Sequence, residues 1–461
     1  MNVRHAAPLL ALSACFAPTP QSAPCTSSED CNLAAGGECL PSPLGVMACA
    51  YPRADCASGL AWGELTPDLD QACVAAGGPD AGVDAGTDGG SSCPTGAPIT
   101  NGQAAELVLG QSTFTSAVVN LPPFSGSSMN MPRGVFADDA GLWVTDSGNA
   151  RVLKWNSHPI VNAQAADIAL GQASRDVSEP GVAQDRLSQG VGAVVKVGNR
   201  LIVSDGTNNR VLIWNSVPTV SGQPASLVLG QPDFASRAQS SAANGMYGPS
   251  GIWSDGNRLV VADTYNNRVL VWNTFPTRNQ QPADVVIGQT GFGVAQTVIP
   301  PTAGSLRNPH GVHFDGARLY VADMENNRVL GWNGVPTASG AAASLVIGQG
   351  DFVSGSRHAG APGTNAVGMS GPFTVTVDEC GALYVCDLGN TRVMVYPSVP
   401  QAAAVAATAV LGAPDLTTGP NAAAPTTAQD FDTCGWVSAS NGKLYVADTG
   451  HNRVLRFSLS R

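Results

Sequence analysis

This chain is poor in charge and poorer in lysine. Asp, Glu, Lys and Arg make up 12% of its 461 residues, and three of the 23 basic residues are lysine. That is about half the usual charged share. The basic residues form no stripe, so the counterion release that drives nucleic-acid binding has no footprint. Nucleic acid is not an expected partner. No apolar run approaches the roughly 18 residues that a membrane span needs. Gly-x-Ser-x-Gly, His-Glu-x-x-His and the phosphate-binding loop do not occur, which argues against the enzyme classes they mark. No Cys-x-x-Cys pair occurs either, which weakens any zinc reading.

The chain does have turns, cysteines and an uneven charge. It carries 53 glycines, 33 prolines and 11 cysteines, with a net charge of −11. Residues 1–97 hold ten acidic and two basic side chains, leaving −3 for the rest. Six cysteines (Cys25, Cys31, Cys39, Cys49, Cys56 and Cys73) crowd into a Gly-, Pro- and Ala-rich stretch without histidine. A core that small and polar calls for covalent staples in an oxidising compartment. Cys93, Cys380, Cys386 and Cys434 either pair or remain buried thiols. The Gly/Asp/Ala-rich tract after Cys73 cannot offset its ordering entropy and reads as a flexible acidic linker.

One phrase recurs six times: an Asp followed five residues later by Arg-Val, as in DTYNNRVLVW at 263–272. Its arginines, Arg151, Arg210, Arg268, Arg328, Arg392 and Arg453, are separated by 59, 58, 60, 64 and 61 residues. A fixed period of about sixty means one structural unit repeated. Each unit contains four short apolar runs rich in Val, Ile and Leu and bounded by turn residues, a strand pattern. In the third unit these are 251–255, 259–262, 269–272 and 284–288. The fourth-strand phrase LVLGQ first appears at 107–111, before any complete unit, while the chain stops after the third strand of the sixth. Leu107 to Gln111 therefore pairs with the last unit, a strand swap that closes a ring and removes its open edges. The expected fold is all-β: a six-bladed β-propeller of four-stranded blades.

The phrases LYVADTGHNRV (444–454), GVHFDGARLYVADMENNRV (311–329) and GLWVTDSGNARV (141–152) resemble the NHL repeat. The period is longer than in most such repeats, and the LGQPDF-type continuation (229–234) resembles a bacterial subgroup. At the start, Leu12-Ser13-Ala14-Cys15 after a basic and small-apolar stretch resembles a bacterial lipobox. That resemblance implies cleavage before Cys15 and lipidation of its sulfur, and Phe16 after it favours the outer membrane by analogy with known lipoproteins; a plain secretory signal or a chance cysteine is the other reading. The expected organisation is a signal peptide over 1–14, a Cys-rich disulfide module over 15–76, a linker over 77–97 and an NHL-type propeller over 98–461. Membrane contact is expected only through the lipid anchor, and the protein is expected to be monomeric.

Function is sought where the repeats disagree, because a catalytic site is needed once and the Asp–Arg pair appears six times. Each repeated arginine reads as structural, bonding a carbonyl or its aspartate to lock the hairpin or bridging to the next blade. The aromatics ending the third strands (Trp155, Trp214, Trp272, Trp332, Tyr396 and Phe457) read as packing between blades. Before each inner strand stand Arg133, Gln189, Ser250, His310 and Phe373, with Gly435 or Cys434 in the sixth unit. Tyr247, Arg307, Met129, Met131, Met246 and Met369 lie nearby, and Met suits adaptable binding surfaces. These suggest one mixed, thioether-lined channel mouth, with Arg133, Gln189, Tyr247, Ser250, His310 and Phe373 as binding candidates. NHL-like peptidyl-amidoglycolate lyases place zinc-binding histidines at positions similar to His310. Here Arg133, Gln189, Ser250 and Phe373 occupy the counterparts. Calcium-dependent lactonases share the six-bladed shape, and Asp138, Asp255, Asp315 and Asp378 are the available carboxylates. The leading expectation is a cell-envelope binding platform for a protein, peptide or glycan, without a cofactor. The alternatives are a lyase or lactonase using calcium or zinc in the channel and a purely structural envelope protein.

Overall fold

A computed structural model describes residues 99–420 and 426–459, plus the backbone of three short strands between 38 and 62. The chain divides into two units, Met1–Ser91 and Ser92–Arg461. In the first, Glu38–Pro41, Met47–Pro52 and Leu60–Trp62 form an antiparallel sheet with Cys39 opposite Cys49 in register. The signal segment, Cys15, Cys25, Cys31, Cys56, Cys73, Cys93 and the 77–97 linker lie outside the described residues.

The second unit is a β-propeller of six four-stranded antiparallel blades. Blade 3 comprises Pro249–Ser254, Leu259–Asp263, Arg268–Trp272 and Val285–Ile287, from the axis outward. The other inner strands are Pro132–Asp138, Val191–Val197, Pro309–Phe314, Pro372–Val377 and Cys434–Ser440. Successive inner strands lie side by side, and that of blade 6 meets that of blade 1. Blade 6 is completed by Leu107–Leu109, which pairs with Arg453–Ser458 through Leu455 opposite Val108. Lys443 and Arg456 both pair with Glu106 beside this seam. Both faces of each blade are covered by neighbours, so its strands read as continuous apolar runs.

The repeated phrase is a hairpin lock. In each copy the arginine Nε donates to the aspartate Oδ2 at 2.7–2.9 Å, with both side chains fully buried. The residue before the arginine lies in left-handed backbone: Asn in four blades, Ala150 and Thr391 in the others. Asn tolerates that region best among residues with a side chain, and here it also bonds across blades. The Oδ1 atoms of Asn209, Asn267, Asn327 and Asn452 accept backbone N–H groups of Gly248, Asn308, Gly371 and Met131 in the following blade.

Blade contacts near the axis are backbone to backbone. A Cβ on Gly251 would stand 2.1 Å from the His310 carbonyl oxygen, so only glycine fits. At the same level, Thr145 Oγ1 and Ser204 Oγ of the second strands donate to the Gly192 and Ser250 carbonyls of the next blade. In blade 5 the same position is Cys386, and its link to blade 6 is a disulfide with Cys434. The question of paired or free thiols is thus settled for these two. The aromatic third-strand ends are all buried, at 0–3% exposure. Each tryptophan there also donates its indole N–H to a carbonyl nine residues on, as Trp272 does to Gln281.

Candidate functional site

The hairpin turns and the starts of the inner strands share one face, because the first residue of each inner strand pairs with the repeated aspartate, as Pro132 does with Asp146. The next residue inward forms a rung around the axis. Strand register assigns it to Arg133, Gly192, Ser250, His310, Phe373 and Gly435. Blade 2 therefore contributes Gly192, and Gln189 is not on the rung. It lies three residues earlier, is exposed, and donates to the Gly148 carbonyl of the neighbouring turn. Blade 2 starts its strand with Val191 where four other blades start with proline, and that missing landmark misplaced the register.

Four rung side chains converge. Ser250 Oγ and His310 Nδ1 are 3.0 Å apart. The His310 ring stacks on Phe373 with centroids 4.3 Å apart. From the far side of blade 6, Arg133 lays its guanidinium over Phe373, 4.9 Å from the ring centre, a cation–π geometry. Below them Trp436 meets Phe373 edge-on at 6.1 Å. Trp436 packs against the apolar clusters of blades 5–6, 6–1 and 2–3 together, so its indole crosses the axis. The sequence reading missed this plug, because Cys434 replaces the strand-opening proline and puts Trp436 where the other blades carry glycine or another small residue.

Electrostatics at the mouth are simple. Burial pushes the His310 pKa well below its ordinary value, and the Arg133 charge adds to the effect. The imidazole is therefore neutral near pH 7. Burial also lowers the Arg133 pKa, with Tyr265 offsetting part of the loss; an arginine nevertheless stays protonated. No ion pair or hydrogen bond engages the Arg133 guanidinium among the described residues.

The rim carries Met131 (55% exposed), Tyr247 (37%) and Tyr265 (58%), the two tyrosines packed at 5.0 Å. The expected thioether lining is otherwise absent: Met129, Met246 and Met369 are buried at 0–1% exposure. They fill space left by Gly110, Gly230 and Gly348, where a Cβ would stand 2.9–3.1 Å from each methionine side chain. Arg307 pairs with Glu325 at 2.6 Å and lines a cleft of about 410 Å³ between blades 4 and 5.

At the other end of the inner strands, each candidate calcium ligand is already engaged. Asp138 pairs with Lys196, Asp255 with Arg258, and Asp315 and Asp378 accept the hydroxyls of Tyr320 and Tyr384. All four also accept backbone N–H groups of their turns. Among the described residues no three His, Cys, Asp or Glu side chains are placed to hold a metal ion. His158 and His358 bond Tyr445 and Asn390, away from the rung.

No protein-family profile matches the chain, and no curated protein matches it in sequence. Solved structures do. An auxiliary nutrient binding protein from Bacteroides thetaiotaomicron is 12% identical, with 71% of this chain and 69% of that one covered and a TM-score of 0.41. A catalytically inactive virginiamycin B lyase from Staphylococcus aureus with quinupristin is 11% identical over 71% and 80%, TM-score 0.37. A nidogen/laminin complex is 14% identical over 59% and 77%, TM-score 0.33. Likeness this distant carries no functional argument. Among the described residues no helix is long and apolar enough to cross a membrane.

Proposed function

We propose that this protein is a bacterial envelope lipoprotein whose NHL-type propeller binds a protein, peptide or glycan partner at the channel mouth. The observation that carries this reading is the contrast between two sets of groups. The six Asp–Arg pairs are buried and consumed in holding hairpins, whereas Arg133, Ser250, His310 and Phe373 are all different and meet at one opening. Around that opening stand exposed apolar and aromatic side chains, the composition of a recognition surface. Metal-dependent lyase or lactonase chemistry has no converging donor set to support it among the described residues. The lipid anchor rests on Leu12-Ser13-Ala14-Cys15.

The test is binding of the full-length protein to peptide and glycan arrays, repeated with the Arg133→Ala/Tyr247→Ala double variant. Loss of about tenfold or more in affinity is expected, roughly 1.4 kcal/mol or more. Arg278→Ala, an exposed change in the loop beyond Trp272, is expected to bind normally. A double variant that keeps every interaction would remove the reading. For the anchor, Cys15→Ser is expected to abolish incorporation of labelled palmitate; retained label would refute lipidation at that residue.

A further inference from the structure

We propose that the mouth is a carboxylate seat for the free C-terminus of a peptide, with Arg133 as its ion-pairing group. This rests on the binding-platform reading and narrows it to one ligand chemistry. The repeated arginines each have a buried aspartate, whereas Arg133 is half-buried on the axis without one. A guanidinium partly removed from water and left without an anion is costly, and a ligand carboxylate would relieve that cost with two parallel hydrogen bonds. Phe373 fixes the plane of the guanidinium, and is itself buried between His310 and Trp436. Nothing on the rung competes for either charge. The imidazole of His310 is neutral and already bonded to Ser250, so the rung offers one cation and no carboxylate.

Depth and lining then favour a peptide end over a sugar acid. Trp436 crosses the axis directly beneath the rung, so a chain cannot thread through and only an end fits. The rim offers Met131, Tyr247 and Tyr265 to the preceding apolar side chains. A uronic acid would need several hydroxyl partners, and the single rung hydroxyl, that of Ser250, is committed to His310.

The experiment is calorimetric titration of the full-length protein with N-acetyl-Ala-Ala-Phe, its C-terminal amide, and glucuronate. The free acid is expected to bind about tenfold or more tighter than the amide, the least a charge-assisted bidentate pair should supply. Arg133→Gln is expected to erase that difference, and Arg133→Lys to restore part of it by keeping charge without the planar fork. Acid and amide binding equally, or no binding of the acid, would overturn the proposal. So would Arg133-dependent binding of glucuronate alone. Should Arg133→Gln fail to fold, the acid–amide comparison on the unaltered protein still decides. Equal binding of acid and amide, both lost in Arg133→Ala/Tyr247→Ala, would leave the platform standing and sink only the carboxylate seat.

Discussion

Arg268 donates its Nε to Asp263 Oδ2 at 2.7 Å, and both side chains are sealed from solvent. The same guanidinium donates to the carbonyls of Ser241, Ala242 and Gly245 in the loop that leads into its own blade. Asp263 in turn accepts the backbone N–H of Tyr247 and the amide of Asn266. One buried ion pair thus pins a hairpin, the loop before the inner strand and the rim residue Tyr247 together.

Removing one partner of such a pair strands a buried charge. Arg268→Ala is therefore expected to cost about 3–5 kcal/mol of unfolding free energy. Glu179→Gln, at an ion pair whose carboxylate is 68% exposed, should stay within about 0.5 kcal/mol. Urea unfolding of the two variants makes the comparison. Similar small losses in both would show that the repeated pair is not a hub.

Tyr396 stands where four blades carry tryptophan, and its buried hydroxyl has no hydrogen-bond partner among the described residues. The indole N–H of Trp272 reaches a carbonyl; a phenol hydroxyl at this position does not. An unmade buried hydrogen bond carries a desolvation penalty of about 1–3 kcal/mol. Tyr396→Phe is therefore expected to leave stability unchanged or raise it by up to about 1 kcal/mol. A clear drop in the urea midpoint would mean that the hydroxyl is bonded after all.

His313 is held neutral by burial, with its pKa lowered from 6.5 to about 4 against a small opposing effect of Asp315. The unfolded chain protonates this ring at higher pH than the folded one does. Stability from His313 is accordingly complete above about pH 6.5 and is lost as the pH falls toward about 4. His310 acts in the same direction. His313→Gln should lose less stability than the parent protein between pH 7.5 and pH 5, read by urea unfolding at both. Equal losses would place the titration elsewhere.

Much of the architecture was legible in the chain itself, because repetition turns a weak local signal into a strong one. Asp263, Asn267 and Arg268 say little alone. Six copies at a period near sixty specify a blade, and a stray LVLGQ at 107–111 specifies how the ring closes. Local sequence likewise determined which residues hold hairpins, since each aspartate and arginine meets across a four-residue turn.

The mouth was decided only by tertiary structure. Arg133 and Phe373 are 240 residues apart in sequence, and their contact exists because blade 6 closes against blade 1. Which side chains face the axis depends on register, and a one-residue change replaces the whole set. Strand pairing puts Gly192 rather than Gln189 on the rung of blade 2, and in blade 6 the same register sets Trp436 across the channel. Likewise, Met129, Met246 and Met369 could be placed only once the glycines opposite them were packed, because burial is a property of neighbours that the chain brings together at long range.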